Sequence, residues 1–192
     1  SHYLRLFLEE YVRKPTLPSH ILHHTNKEYF LYHDHGANPR FIYNNYIYLY
    51  RDPVDAIYSY LIYNNTNTKD KKTINRFAIH FAWSLSKYCI DDNSSQNKAL
   101  IVKYENLLNK PTKTFSKVLN HLKVDVDYSK INNLVEKIDK KYTNEKMKVY
   151  YADYPEGNLI VNLEENLISK KEFRSLEEKN IYDIIEQFSL KN

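Results

Sequence analysis

Tyr46-Ile47-Tyr48-Leu49-Tyr50-Arg51-Asp52-Pro53-Val54-Asp55-Ala56-Ile57-Tyr58-Ser59-Tyr60 decides the reading of this chain. Residues 46 to 50 are nearly continuous apolar and aromatic, as expected of a parallel strand covered on both faces. Asp52-Pro53 then marks a turn, and the following residues carry helical periodicity through about residue 63. Arg51 thus falls at a strand end and Ser59 in the helix after it. A strand-to-helix turn can bring the two together although they are eight residues apart. The strand ends of open α/β sheets are where ligands bind. An Arg fork beside a hydroxyl near a helix start suits a phosphate. A plainer reading stands beside this one: Asp52 or Asp55 caps the helix, and Arg51 pairs with either.

Working outward, residues 2 to 13 predict a helix with Tyr3, Leu4, Leu6, Phe7, Leu8 and Tyr11 on a broad buried face. Pro15 and Pro18 stop it. Residues 28 to 32 predict a strand, followed by His33-Asp34-His35-Gly36, and residues 99 to 103 predict a third. Helices are expected at 53 to 63 and 71 to 90. Pro111 opens another through about Leu122, with Phe115, Val118, Leu119 and Leu122 on one face. Residues 128 to 140 and 176 to 188 complete the helices. Strands alternating with helices imply an α/β fold, with a parallel β-sheet flanked by helices.

Composition narrows the function classes. A chain of 192 residues suits a single domain, 1–192. The net charge of +4 and a pI near 8.8 fit an anionic ligand but do not argue for nucleic acid. The single cysteine, Cys89, excludes an intrachain disulfide framework and is expected in the core. No run reaches the roughly 18 apolar residues of a membrane span, and no secretory signal pattern is present. Only two glycines, Gly36 and Gly157, occur, so the chain has no glycine-rich phosphate loop. His33 and His35, flanking Asp34, could be metal ligands, but their spacing matches no zinc signature. A solvated structural pair is the plainer account, and no metal is expected.

Three segments in order carry a family resemblance. Arg51-Asp52-Pro53-Val54-Asp55 with Ser59 resembles the 3′-phosphate-binding segment of the sulfotransferases, which move a sulfuryl group from 3′-phosphoadenosine 5′-phosphosulfate (PAPS) to a hydroxyl or amine. Tyr104-Glu105-Asn106-Leu107 resembles the family's Tyr-Glu-Asp-Leu segment, whose Tyr contacts adenine. The opening Ser1-His2-Tyr3-Leu4-Arg5 looks like the helix after the family's Pro-Lys-Ser-Gly-x-Thr-Trp-Leu-Arg loop, with Tyr3 at the Trp position. That alignment places the 5′-phosphosulfate loop and its strand just before Ser1, and residues 2 to 13 near Arg51 and His35.

The resemblance implies a P-loop nucleotide-binding type of α/β domain, PAPS as donor and adenosine 3′,5′-bisphosphate as product. Arg51, Ser59 and Tyr104 would bind the donor. In the family a Lys-Thr-His segment follows the second strand and its His is the general base. His35 takes that place, with His33 at the Lys position and as the alternative base. An imidazole that titrates near neutrality suits removal of the acceptor's proton. The implied partner is a small-molecule or carbohydrate acceptor, with no nucleic acid and no metal, and the implied location is cytoplasmic. His80 and Trp83 match a His-x-x-Trp pattern and read as packing. The likeness covers roughly residues 1 to 122. Lys170-Lys171-Glu172-Phe173-Arg174 is the one basic cluster before the last helix, and it reads as a solvated charge run. Rival functions on the same fold are a nucleotide kinase or other phosphotransferase, which would need magnesium, and a non-catalytic binding domain.

Overall fold

The structure is a computed structural model and describes residues 2–18, 30–33, 45–64, 66–89, 98–139, 141–143, 145–146 and 168–189. The elements are α1 (His2–Val12), β1 (Thr16–Pro18), β2 (Leu31–His33), β3 (Asn45–Tyr50), α2 (Pro53–Tyr63), α3 (Lys71–Cys89), β4 (Lys98–Lys103), α4 (Tyr104–Asn109), α5 (Pro111–His121), α6 (Tyr128–Lys137) and α7 (Lys170–Ser189). They fall into two compact units. One comprises residues 1–49 and 100–155, the other residues 50–99 and 156–192.

The first unit holds the strands' main packing. β1 and β2 pair in parallel, Thr16 against Leu31, Leu17 against Tyr32 and Pro18 against His33. β3 and β4 are hydrogen-bonded neighbours in a second pair. The core under these strands comes from α1, α4, α5 and α6. Leu4, Phe7, Leu8 and Tyr11 of α1 meet Leu107, Phe115, Val118, Leu119 and Ile131, with Ile47, Leu49 and Val102 of the strands against them. Phe7 and Phe115 stack with ring centroids 3.5 Å apart. The apolar faces expected of α1 and α5 are the buried faces, except that Tyr3 and Leu122 are only half-buried.

The Tyr11 hydroxyl at the edge of this core is satisfied on both sides. The Tyr11 hydroxyl donates to the Asp125 carbonyl at 2.8 Å and accepts from the Asp127 amide at 2.8 Å. Asp127 in turn caps α6, accepting from the Lys130 amide at 3.0 Å. One aromatic hydroxyl thereby ties the end of α1 to the start of α6.

β1 is absent from the sequence reading, which had Pro15 and Pro18 only ending α1. A three-residue strand between prolines has no periodicity to read, and its existence depends on β2. Local chemistry still prepares it. Arg13 takes the left-handed conformation, φ 58°, and its amide donates to the Glu9 carbonyl at 2.8 Å, closing α1. The Glu9 carboxylate then accepts the Thr16 amide at 3.0 Å, and Pro18 is tolerated because the strand is short.

The second unit is a three-helix packing. Val54, Ile57 and Leu61 of α2, Ile74, Ala78 and Ala82 of α3, and Phe173, Ile181 and Ile185 of α7 form its core together with Ile168. The two alanines let α3 approach its neighbours closely. Full burial of Phe173 contributes about 1.5–3 kcal/mol. The backbone entering α7 is fixed at Ile168, whose amide donates to Thr68 Oγ1 at 3.1 Å and whose carbonyl accepts from the Tyr58 hydroxyl at 3.0 Å. Glu177, buried in the same helix, is neutralised by Lys71. α7 begins at Lys170, six residues before the expected start, and α6 ends at Lys137, before the expected Lys140.

Candidate functional site

Asp52 caps α2. Its carboxylate accepts from the Asp55 amide at 3.0 Å, and Pro53 occupies the first turn, where its missing N–H costs nothing. The cap fixes the first turn of α2 directly after Arg51. Asp55 and Ser59 are four residues apart, so they lie one above the other on one face of α2. Arg51 folds over that face. Its Nη1 donates to Ser59 Oγ at 3.0 Å, and its Nη2 lies 3.9 Å from Asp55 Oδ2. Asp52 is therefore the cap, and the turn brings Arg51 and Ser59 together, with Asp55 beside them.

The same acidic pair is held from α7. Arg174 Nη2 donates to Asp52 Oδ1 at 2.6 Å and to Asp55 Oδ1 at 3.0 Å, while its Nη1 engages Glu178. Lys170 Nζ lies 2.5 Å from Asp55 Oδ2, and the Tyr182 hydroxyl donates to Asp52 Oδ2 at 2.9 Å. Lys170, Arg174, Glu178 and Tyr182 recur every four residues along one face of α7. Lys170 and Arg174 of the basic cluster expected to be a solvated charge run are thus committed to Asp52 and Asp55. The four-residue ladder is the signal that marks it, and it is invisible when the helix is begun at 176.

The electrostatics follow the contacts. Partial burial alone would raise the Asp55 carboxyl, but hydrogen bonds from Lys170 and Arg174 and their charges outweigh it and hold it below the usual carboxylate range. The hydrogen bond to Asp55, against the cost of desolvation, and then the Asp52 charge raise the Arg174 guanidinium. Burial, then the hydrogen bond to Asp52, pushes the Tyr182 phenol up to about 12. Three cations, Arg51, Lys170 and Arg174, meet three carboxylates, Asp52, Asp55 and Glu178.

Tyr104 belongs to the first unit. It is the first residue of α4, directly after β4, and is half-buried against the first core. Burial, and then the Tyr104 phenol, push the Tyr3 phenol up. His33 closes β2 with its backbone paired to Pro18. His35 lies outside the described residues, as do the side chains of His33 and Cys89. His80 and Trp83 pack on each other, ring centroids 6.1 Å apart, on the exposed face of α3. Among the described residues, no group of three or more His, Cys, Asp or Glu side chains is arranged to hold a metal, and no helix is long and apolar enough to cross a membrane.

The described residues are helices and short strands, with an Arg and a Ser brought together behind a capped helix start at a strand-to-helix turn. A family model of the sulfotransferase domain matches residues 32–189, and the chain belongs to the sulfotransferase family, a family of transferases with the P-loop type of α/β fold. The match runs through α7, well past residue 122, where motif letters alone carried no likeness. No curated protein matches the chain in sequence.

Proposed function

We propose that this protein transfers a sulfuryl group from PAPS to a hydroxyl or amine of a small-molecule or carbohydrate acceptor, and that Arg51 and Ser59 hold the donor's 3′-phosphate. The observation that carries the reading is the 3.0 Å Arg51–Ser59 hydrogen bond inside a matched sulfotransferase domain. A phosphate dianion asks for a forked cation and a hydroxyl donor converging on it, and these two side chains fit that demand.

PAPS supplies the sulfuryl group, and the chain's own residues do the rest. Arg51 and Ser59 orient the nucleotide end, and the flat Tyr104 ring serves the adenine. His35, with His33 as the alternative, takes the proton of the acceptor hydroxyl as it attacks. Transfer of this kind depends mostly on positioning and on stabilising charge on in-line oxygens. The proposed setting is cytoplasmic.

The test is acceptor-dependent release of adenosine 3′,5′-bisphosphate when the protein is given PAPS and a panel of phenols, amines and sugars in excess EDTA. Turnover that survives EDTA supports the reading. Transfer seen only from a nucleoside triphosphate with magnesium would replace it with a phosphotransferase.

A further inference from the structure

We propose that Arg174 is a positioning residue for the phosphate site: by engaging Asp52 and Asp55 from α7, it keeps their carboxylate charge from opposing an anion at Arg51 and Ser59. This rests on the proposed binding of a 3′-phosphate by those two residues and adds a residue that acts through others.

The geometry carries it. Asp55 lies one helical turn before Ser59 on the same face of α2, so any phosphate oxygen at Ser59 has a carboxylate as its neighbour. Asp55 is 3.9 Å from Arg51 Nη2 but 2.5 Å from Lys170 Nζ and 3.0 Å from Arg174 Nη2. Its charge is matched chiefly by α7 rather than by Arg51. Asp52 is also engaged from α7, at 2.6 Å by Arg174 and 2.9 Å by Tyr182. Arg174 touches both acids, because its planar fork presents several donors in one plane, which a lysine at that place could not do. Loss of Arg174 would leave Asp55 with Lys170 and Asp52 with the uncharged Tyr182, so that less positive charge stands against two carboxylates beside a dianion.

Four variants test the idea: Arg51→Ala, Arg174→Met, Asp55→Asn and Arg174→Met with Asp55→Asn. Each is titrated by calorimetry with adenosine 3′,5′-bisphosphate and with adenosine 5′-phosphate. Arg174→Met should weaken bisphosphate binding by about tenfold while sparing the 5′-monophosphate, since a charge-assisted contact is lost only indirectly. Adding Asp55→Asn should restore affinity to within about threefold, because removing both members of an ion pair relieves what removing one exposes. Recovery in the double variant, where Arg174 is still replaced by Met, is a result that a merely structural Arg174 would not produce. An Arg174→Met loss without recovery, or no loss, overturns the proposal. If Arg174→Met does not fold, Asp55→Asn alone decides: it should leave bisphosphate affinity within about threefold of the native protein, because the Asp55 charge is already matched, and a larger gain or loss overturns the proposal. If Arg51→Ala weakens both nucleotides equally, the phosphate site itself is misassigned, which is a separate outcome.

Discussion

The Arg51 guanidinium donates a 3.0 Å hydrogen bond to the Ser59 hydroxyl, spanning a strand end, a proline turn and two turns of helix. Asp52 caps α2 directly after Arg51, and the helix face that follows carries Asp55 and Ser59. Two sets of partners share this short segment. Arg51 and Ser59 face each other, while Asp52 and Asp55 are taken up by Arg174, Lys170 and Tyr182 of α7.

Arg51→Ala should weaken adenosine 3′,5′-bisphosphate binding by about 1.5–3 kcal/mol, a roughly ten- to hundredfold loss, because one charge-assisted contact disappears. Binding of adenosine 5′-phosphate should change little. Calorimetry with both nucleotides checks this, and equal losses would remove Arg51 from the 3′-phosphate.

His35→Ala should lower sulfuryl transfer by about 10²–10⁴-fold, with donor affinity nearly unchanged, as expected on losing a general base. His33→Ala should do less. Steady-state rates of both variants with a working acceptor decide between them. A dead His33 variant beside an active His35 variant would exchange the two assignments.

Asp52→Ala should destabilise the protein by about 0.5–2 kcal/mol through loss of the α2 cap alone, with more lost from the Arg174 and Tyr182 contacts. Asp52→Asn keeps a side-chain oxygen for the cap and should be milder. Urea unfolding of the two variants orders them. If Asn is as damaging as Ala, the charge rather than the cap sets the loss.

Stability should fall on both flanks of the pH scale for reasons that meet at this cluster. Asp55 has a depressed carboxyl in the folded state, so its contribution is present above the unfolded value of 3.8 and is lost as pH falls through the lower folded value. Tyr182 is raised from 10.0 to about 12, so its contribution is present below 10.0 and is lost as pH rises toward 12. Thermal melts against pH should show Asp55→Asn flattening the acid flank and Tyr182→Phe flattening the alkaline one. Unchanged flanks would mean these contacts do not form in solution.

Much of the candidate site was legible in residues 46 to 60, because its determinants are local. An apolar run, an Asp-Pro turn and a helical i, i+4 spacing set β3, the cap and the placement of Ser59 without help from the rest of the chain. The apolar stripes of α1 and α5 were legible for the same reason: periodicity is a property of neighbouring residues. Three things were decided only by tertiary structure. β1 exists through its pairing with β2. The prolines around it hide it from any periodic reading. The separation of α2, α3 and α7 into a core of their own depends on Phe173, Ile181 and Ile185 finding α2 and α3. The bonds from Arg174 to Asp52 and Asp55 close over 122 and 119 residues, and no local preference encodes a bond of that length. A charge run on a helix end reads as solvated until folding brings it opposite two carboxylates, because an ion pair depends on distance in space and sequence spacing reports only distance along the chain.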